Sequence, residues 1–225
     1  MKKDVFHRVV LVLQLVLLAA ILYVLVDISG KLDVRSQAKP LQKFEPRNVQ
    51  LDVSDNPVIG DSSALVELVV FSDFQCPHCY TLYQQIEKLK EKYIETGILK
   101  LVFMNYPLKS HVKANFFAKI SEYAFMEGKF GQVYSRLYEQ AAEIDQQNYL
   151  EYFADIIEDT MSLTDYINQP SMEVAEDLKR AASINVKGTP VFIVNGTLYL
   201  GTRTDQEFFD IIEKAVSETE SMCND

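Results

Sequence analysis

The fold is decided by one stretch of the chain, Phe71-Ser72-Asp73-Phe74-Gln75-Cys76-Pro77-His78-Cys79. Its first residue, Phe71, is the last residue of an apolar run that begins at Leu65. This run is typical of a buried strand. Behind it, from Tyr80 to Tyr93, apolar residues recur at three- and four-residue spacing, which predicts a helix with one buried face. The two cysteines are therefore expected at a strand-to-helix junction.

That junction predicts the chemistry of the two cysteines. A cysteine at the start of a helix faces unpaired backbone N–H groups and the positive end of the helix dipole, which favour thiolate over thiol. Cys76 is therefore the predicted nucleophile, and Cys79, one turn further along, is the predicted resolving thiol. Pro77 suits the first helical turn because it has no N–H to leave unpaired. His78 is predicted to tune the Cys76 sulfur through a donor or a positive charge beside it.

Length and composition limit the class of protein. A chain of 225 residues with 48% hydrophobic content can bury a sizeable core in one domain with a large insertion. Three cysteines are too few for a disulfide scaffold, so the close pair indicates a redox or a metal-binding role. The formal net charge of -10 argues against nucleic acid as a partner, because phosphate binding needs a basic face.

The N-terminal region has the pattern of a membrane segment. Residues 1–8 are predicted to be a short cytoplasmic segment, and residues 9–26 are apolar except for Gln14. At about 1.5 Å per residue this run spans roughly 27 Å, close to the hydrocarbon core of a bilayer. We predict an uncleaved transmembrane signal anchor. A cleaved signal peptide is the alternative, although Ile28-Ser29-Gly30 is a poor cleavage site.

The two cysteines, and not the distribution of charge, predict on which side of the membrane the domain lies. Basic residues lie on both sides of the apolar run, so the charge rule leaves the orientation open. A close cysteine pair in a domain otherwise poor in cysteine suits an oxidising compartment. The domain is therefore predicted on the periplasmic or extracellular side. Residues 27–47 lack periodicity and are predicted to be a linker.

The remaining chain alternates between strand and helix patterns. A short strand is predicted at 48–53, and a second apolar run at 98–104 follows the helix, which gives a βαβ unit. From about 111 to 183 the pattern is that of amphipathic helices, which predicts a helical insertion.

The C-terminal third returns to strands and then closes with a helix. Apolar runs on both sides of Asn195-Gly196 predict a hairpin. A capping box at Thr204 and Glu207 predicts the start of the closing helix. Residues 219–225 are predicted to be a polar tail.

Three separated landmarks together carry a family resemblance. They are Cys76-Pro77-His78-Cys79 opening a helix, the long helical insertion, and Gly188-Thr189-Pro190 directly before a hairpin. In this order they resemble the DsbA-like branch of the thioredoxin superfamily, over about residues 48–218. The resemblance implies an α/β, thioredoxin-like fold with an inserted helical domain. It places Thr189-Pro190 at the family's cis-proline position, against the cysteines, where the backbone meets a bound substrate chain.

The resemblance also implies an activity. It implies a protein disulfide oxidoreductase with a redox-active Cys76-Cys79 disulfide and neither cofactor nor metal. The implied catalytic residues are Cys76, Pro77, His78, Cys79, Thr189 and Pro190. The implied partners are unfolded or partly folded exported proteins with thiols, and a membrane redox partner that resets the cysteine pair.

Other interpretations stay open. We favour a dithiol oxidase, but the best-known strong oxidants of the group have Val where this chain has Thr189, so a reductase or isomerase is the alternative. A non-enzymatic metal carrier using Cys76, Cys79 and His78 is a third interpretation. Against it, no second Cys/His cluster completes a closed metal site.

Proton transfer at the cysteine pair is the main departure from the family pattern. Related proteins usually have a Glu six residues before the first cysteine, and here that residue is Val70. The nearest acids are Glu67 and Asp73, and Asp73 replaces the missing acid only if its side chain projects toward the pair.

Three further residues receive structural interpretations. We interpret His111 as a structural loop histidine. Asn195 lies in a glycosylation sequon, but the hairpin turn explains it. Cys223 is interpreted as an unpaired surface thiol.

Overall fold

The computed structural model describes residues 2–35 and 45–223, in a chain that divides into two compact units, Met1–Phe44 and Glu45–Asp225. The described part of the first unit is one helix, α1 (Lys2–Arg35). Its segment Leu11–Ile28, with mean hydropathy 2.7, is long and apolar enough to cross a membrane. Residues 27–35, predicted as the start of a linker, are helical. Residues 36–44 of that linker lie outside the described part.

The second unit is built on a six-stranded sheet in the order β1-β6-β5-β3-β4-β2. Strands β3 and β4 are parallel, and the other neighbours are antiparallel. The apolar run that leads into the cysteines is the central strand β3, and only Glu67 in it is not fully buried. The strands are β1 (Arg47–Asn48), β2 (Val58–Ile59), β3 (Val66–Ser72), β4 (Leu99–Asn105), β5 (Val191–Val194) and β6 (Thr197–Leu200).

The first predicted strand is shorter than expected. Of residues 48–53 only Asn48 belongs to β1, where Arg47 pairs with Leu198 and Asn48 with Thr197. Val49 adds one backbone hydrogen bond of 2.8 Å to the carbonyl of Gly196. Gly196 lies in the hairpin turn, so the partner strand β6 has no further residue with which β1 could pair.

Helices cover the sheet and form the insertion. Helix α2 (Pro77–Leu89) follows β3 and runs into a π-helical turn, Lys90–Ile94. The insertion between β4 and β5 consists of α3 (Ala114–Met126), α4 (Phe130–Gln140), α5 (Tyr149–Phe153), α6 (Thr160–Ile167) and α7 (Met172–Ser183). These bounds agree with the predicted helical segment 111–183.

The closing helix is longer than predicted. Helix α8 spans Asp205–Cys223, so residues 219–223 are helical and not a polar tail. Residues 224 and 225 lie outside the described part of the chain.

Two local sequence signals are confirmed. Asn195 and Gly196 have φ values of 43° and 81°, the left-handed conformation that a tight hairpin turn between β5 and β6 requires. At the start of α8, the backbone N–H of Thr204 donates to the Glu207 carboxylate at 3.0 Å, and the N–H of Glu207 donates to the Thr204 hydroxyl at 3.3 Å. This reciprocal pair is the predicted capping box.

An aromatic cluster fixes helix α4 over the end of β3. The ring centroid of Phe103 on β4 lies 5.5 Å from those of Phe130 and Tyr134 on α4. Phe74, just beyond β3, lies 4.8 Å from Tyr138 of α4. Helix α4 is therefore held beside the segment that carries the two cysteines.

Candidate active site

The two cysteines lie at the predicted strand-to-helix junction. β3 ends at Ser72 and α2 begins at Pro77, so Cys76 is the N-cap residue, with extended backbone angles (φ -80°, ψ 120°). Both cysteines are free thiols and buried, with 5% of Cys76 and 1% of Cys79 exposed. Pro77 occupies the first helical turn and is exposed. The first turn of α2 therefore directs its unpaired N–H groups toward the Cys76 sulfur.

The surroundings of Cys76 favour its thiolate. A hydrogen bond from the Cys79 thiol is the largest effect that lowers the pKa of Cys76, which falls to about 5 although burial opposes the change. The backbone N–H groups of Cys79 and His78 and the side chain of Thr189 lower it further. Burial, reinforced by the neighbouring Cys76 sulfur, raises the pKa of Cys79 well above its usual range. One sulfur is thus a thiolate at neutral pH and the other a protonated thiol.

The loop before β5 lies against these sulfurs. The Thr189-Pro190 peptide bond is cis, and the carbonyl oxygen of Thr189 lies 3.9 Å from the Cys76 sulfur. The Thr189 hydroxyl is buried, and the Thr189 side chain lowers the pKa of both cysteines. The structure therefore brings together Cys76, Cys79, Thr189 and Pro190, which are far apart in the sequence.

His78 has a different place from the one expected for a tuning side chain. The residue is exposed, and its backbone N–H is the group that lowers the pKa of Cys76. Because the first helical turn turns the side chain outward to solvent, the larger effects on the thiolate come from Cys79.

Asp73 does not replace the acid missing at Val70. Its buried carboxylate accepts from the N–H groups of Gln75 at 2.8 Å and Leu108 at 2.9 Å, and it lies 2.8 Å from Nδ1 of His111. These contacts point to the loop after β4, so Asp73 and His111 tie that loop to the cysteine segment. His111 has the structural role that was expected of it.

Val70 and Glu67 do not supply an acidic group to the two cysteines either. Val70 is 1% exposed and belongs to the same apolar cluster as the cysteines. Glu67 pairs with Lys100 at 3.3 Å on the neighbouring strand. Neither the Glu67 carboxylate nor the Asp73 carboxylate is directed at the sulfurs.

The sequence analysis did not identify two further candidate functional residues, Ser72 and Tyr138. Ser72 is buried at the end of β3, and its side chain lowers the pKa of the Cys79 thiol. The Ser72 hydroxyl also lies 2.5 Å from the hydroxyl of Tyr138 on α4. Strand alternation puts Ser72 on the face of Val70 and so toward the cysteines, but nothing in the sequence marks Tyr138 as its partner.

A cavity opens beside the Cys76 sulfur. Its volume is about 310 Å³, and it lies between the start of α2 and the end of α4. Its lining includes Cys76, Tyr80, Lys113, Tyr138 and Glu139. In residues 2–35 and 45–223, no group of three or more His, Cys, Asp or Glu side chains is arranged to hold a metal ion.

Comparison with known proteins agrees with this geometry. Residues 52–214 match a family model described as Thioredoxin. The chain therefore belongs to the thioredoxin family. The probable disulfide bond formation protein D of Bacillus anthracis is 26% identical over 189 residues, which span 78% of this chain and 83% of that protein. As predicted, the chain is a DsbA-like thiol:disulfide oxidoreductase.

Solved structures share the fold. Oxidised BdbD from Bacillus subtilis superposes with a TM-score of 0.65 at 22% identity and covers 77% of this chain and 100% of its own. Wolbachia pipientis alpha-DsbA1 gives a TM-score of 0.66 at 18% identity, over 77% of this chain and 96% of that one. The predicted thioredoxin-like fold with a helical insertion is confirmed.

Proposed function

We propose that the protein is a membrane-anchored dithiol oxidase that forms disulfides in unfolded or partly folded exported proteins. The observation that carries the proposal is the Cys76 thiolate at the start of α2. Its pKa is lowered to about 5 by the Cys79 thiol, and it lies beside the Thr189 carbonyl. The redox-active group is the Cys76-Cys79 disulfide, and the chemistry needs no bound cofactor or metal.

The reaction is two successive thiol-disulfide exchanges. A substrate thiolate attacks the Cys76 sulfur of the oxidised pair, and the electron pair of the S–S bond leaves with Cys79, which takes up a proton. A second substrate thiolate then attacks the first substrate sulfur, and Cys76 leaves as a thiolate. The substrate ends with a disulfide and the enzyme with two reduced cysteines. A disulfide of the membrane redox partner reverses the change in the enzyme.

The geometry favours the oxidase direction. A thiolate with a lowered pKa is a good leaving group, and stabilising the reduced form raises the reduction potential by about 30 mV for each 1.4 kcal/mol. The Cys79 thiol, the backbone N–H groups of α2 and Thr189 all stabilise the reduced form of Cys76. These contacts support an oxidant, and a reductase or isomerase is the opposing outcome.

Substrate docking is assigned to the groups around Cys76. The Thr189 carbonyl and Pro190 present backbone beside the sulfur, where an extended substrate segment can lie. The cavity lined by Tyr80 and Tyr138 is next to it and has room for a substrate side chain. Pro77, exposed at the mouth of the site, completes the contact surface.

The location rests on helix α1. Its apolar segment Leu11–Ile28 suits a single membrane span. A thiolate held ready for disulfide exchange is useful in an oxidising compartment, so we place the catalytic unit outside the cytoplasm.

The redox state of the pair in cells tests the function. Cells are quenched in acid and fractionated, and Cys76 and Cys79 are trapped with a thiol reagent. We expect the protein in the membrane fraction with the pair mostly oxidised. A pair that is mostly reduced would contradict the oxidase and support a reductase or isomerase. Recovery in the soluble fraction would contradict the anchor.

The thiolate of Cys76 is open to direct titration. Ultraviolet thiolate absorbance of the reduced protein should rise with a midpoint near the pKa of about 5. Thr189→Val removes one hydroxyl donor and should raise this midpoint. His78→Ala should leave it nearly unchanged, because the contact of His78 with the sulfur is through its backbone, which alanine keeps.

A matched threonine serves as the control for this titration. The Thr96 hydroxyl bonds the Lys92 carbonyl at 2.8 Å, away from the sulfurs, so Thr96→Val should leave the midpoint unchanged. An unchanged midpoint in Thr189→Val would remove Thr189 from the groups that stabilise the thiolate. A clearly raised midpoint in His78→Ala would show that the imidazole also stabilises the thiolate.

A further inference from the structure

The cavity beside Cys76 lies next to the position of a reacting substrate cysteine. Cys76 is one of the residues that line it, so a substrate sulfur that attacks the Cys76 sulfur does so at the edge of the cavity. An extended chain advances about 3.3 Å per residue, so the side chains that can enter are those within one or two positions of that cysteine. The cavity therefore meets the immediate sequence neighbours of the substrate cysteine.

The charged and amide side chains in the cavity wall already have partners. The ammonium group of Lys113 donates to the carbonyl of Ala141 at 2.7 Å, and the side-chain oxygen of Gln75 accepts from the Lys113 backbone N–H. The Glu139 carboxylate accepts from the Tyr83 hydroxyl at 2.9 Å. The opposite charges of Lys113 and Glu139 also offset each other. The cavity therefore offers an occupant little polar or charged binding surface.

Aromatic rings form much of the remaining wall. Phe74 and Tyr138 are buried, and their ring centroids lie 4.8 Å apart. Tyr80 lines the cavity from α2 and is 39% exposed, with its ring centroid 5.9 Å from that of Tyr83. An aromatic side chain of a substrate can bury its own surface here and contact the exposed ring of Tyr80.

We infer, on the basis of the proposed function, that this cavity selects substrate cysteines that have an aromatic residue one or two positions away. Tyr80 is the specificity-determining residue, because its ring is the exposed aromatic surface of the wall. Aromatic pairs are more stable than the burial of their area alone explains. This stabilisation corresponds to a preference of about threefold to tenfold for an aromatic residue over glycine at the same position.

Such a preference suits substrates that have not yet folded. Large aromatic side chains are mostly buried in folded domains, so an aromatic residue beside a cysteine is accessible chiefly before folding. The cavity would then direct the Cys76-Cys79 disulfide to cysteines that become part of a folded core.

Reduction of the oxidised wild-type protein by a set of peptides tests the preference. Each peptide has one cysteine in a Gly-Ser sequence of constant charge, with Phe, Leu or Gly at one of the two positions before it or the two positions after it. Samples are quenched in acid, and loss of the Cys76-Cys79 disulfide is followed by mass analysis. Each rate constant is divided by that of the same peptide with oxidised glutathione, which removes differences in thiol reactivity. We expect Phe to react about threefold to tenfold faster than Gly, and faster than Leu, at one or more positions.

Variants of the cavity wall show whether the preference arises there. Tyr80→Ala should lower the ratio of the Phe rate to the Gly rate toward one, whereas Tyr80→Phe should keep the ratio because the ring remains. Ala142→Leu places a larger side chain in the wall and should also lower the ratio. Thr81→Ala is the matched control, because Thr81 is exposed on α2 and its hydroxyl bonds the Pro77 carbonyl at 3.2 Å, outside the cavity wall. Its ratio should equal that of the wild type.

The outcomes are distinguishable. Equal rates for Phe and Gly at every position overturn the selectivity and leave the proposed function intact, and equal rates for Phe and Leu overturn the aromatic preference. A wild-type ratio in both Tyr80→Ala and Ala142→Leu overturns the role of the cavity. Circular dichroism shows whether each variant is folded, and Ala142→Leu provides the test if Tyr80→Ala does not fold. If no peptide reduces the wild-type protein, the proposed function itself fails.

Discussion

Replacing Cys76 with serine is expected to abolish dithiol oxidation. A serine hydroxyl is not ionised near neutral pH, whereas the pKa of the Cys76 thiol is lowered to about 5, chiefly by the hydrogen bond from Cys79. The variant therefore has neither the nucleophile nor the disulfide. Turnover of a reduced peptide substrate should fall at least about a thousandfold, to the uncatalysed background.

Cys79→Ser is expected to fail at a different step. Because Cys76 remains, the reduced variant still attacks a disulfide, but no second sulfur is present to resolve the product. A mixed disulfide on Cys76 should accumulate and be visible by mass analysis. Cys223→Ser is the matched control, and its activity should remain at the wild-type level. Substantial turnover by Cys76→Ser would contradict the assignment of Cys76 as the nucleophile.

Replacing Glu122 with glutamine is expected to change how stability depends on pH. Glu122 on α3 and Asp177 on α7 are buried, with 3% and 1% exposed. Both bind Asn105 at the end of β4, Glu122 through the side-chain amide at 2.5 Å and Asp177 through the backbone N–H at 2.7 Å. Burial, followed by the charge of Asp177, raises the pKa of Glu122 to about 8.

The direction of the pH effect follows from proton binding. Between the ordinary carboxyl pKa of 4.5 and the folded pKa of about 8, the folded protein holds a proton on Glu122 that the unfolded chain has released. The free energy of unfolding therefore falls as pH rises, by at most about 1.4 kcal/mol per pH unit for this group. Asp177, whose pKa burial raises to about 6, adds a similar fall at lower pH.

Glu122→Gln removes this contribution. Chemical unfolding of the oxidised protein at a series of pH values should show a flatter profile, and the variant should exceed the wild type above pH 8 by a few kcal/mol, with a ceiling of about 5 kcal/mol. Glu176→Gln is the control, since Glu176 is an exposed carboxylate paired with Lys179 at 2.9 Å. A profile for Glu122→Gln parallel to that of the wild type would show that Glu122 is ionised throughout.

This acidic pair also shows what joins the insertion to the sheet. Asn105 ends β4, and it binds one acid from α3 and one from α7. Asn56 donates to Asp177 at 2.8 Å and accepts from Arg180 at 2.8 Å, so the segment before β2 is part of the same network. Buried polar groups satisfied in this way hold the helices in one arrangement.

The elements that were predicted well depend on local signals. The short apolar run before Cys76 predicts a buried strand, and Asn195-Gly196 specifies a tight turn because both residues tolerate positive φ. The capping box at Thr204 likewise involves residues three apart. Such signals are complete within a few residues, so no knowledge of packing is needed.

Element ends were predicted less well because they depend on neighbours. The first strand stops at Asn48 because its partner turns at Gly196, which the sequence around residue 48 does not reveal. Helix α8 continues to Cys223 through polar residues that only looked like a tail. His78 was expected to act through its ring because it lies between the cysteines, yet the helical turn leaves the ring exposed.

The sequence alone determined the reactive element of this protein. Two cysteines three positions apart at a strand-to-helix junction specify a thiolate and a protonated thiol, since the helix N-terminus acts over one turn. The tertiary structure decided which groups lie around the two cysteines. Thr189 reaches Cys76 across 113 residues, and Tyr138 reaches Ser72 across 66. Because these contacts depend on how α4 and the loop before β5 pack against β3, the sequence alone does not reveal them.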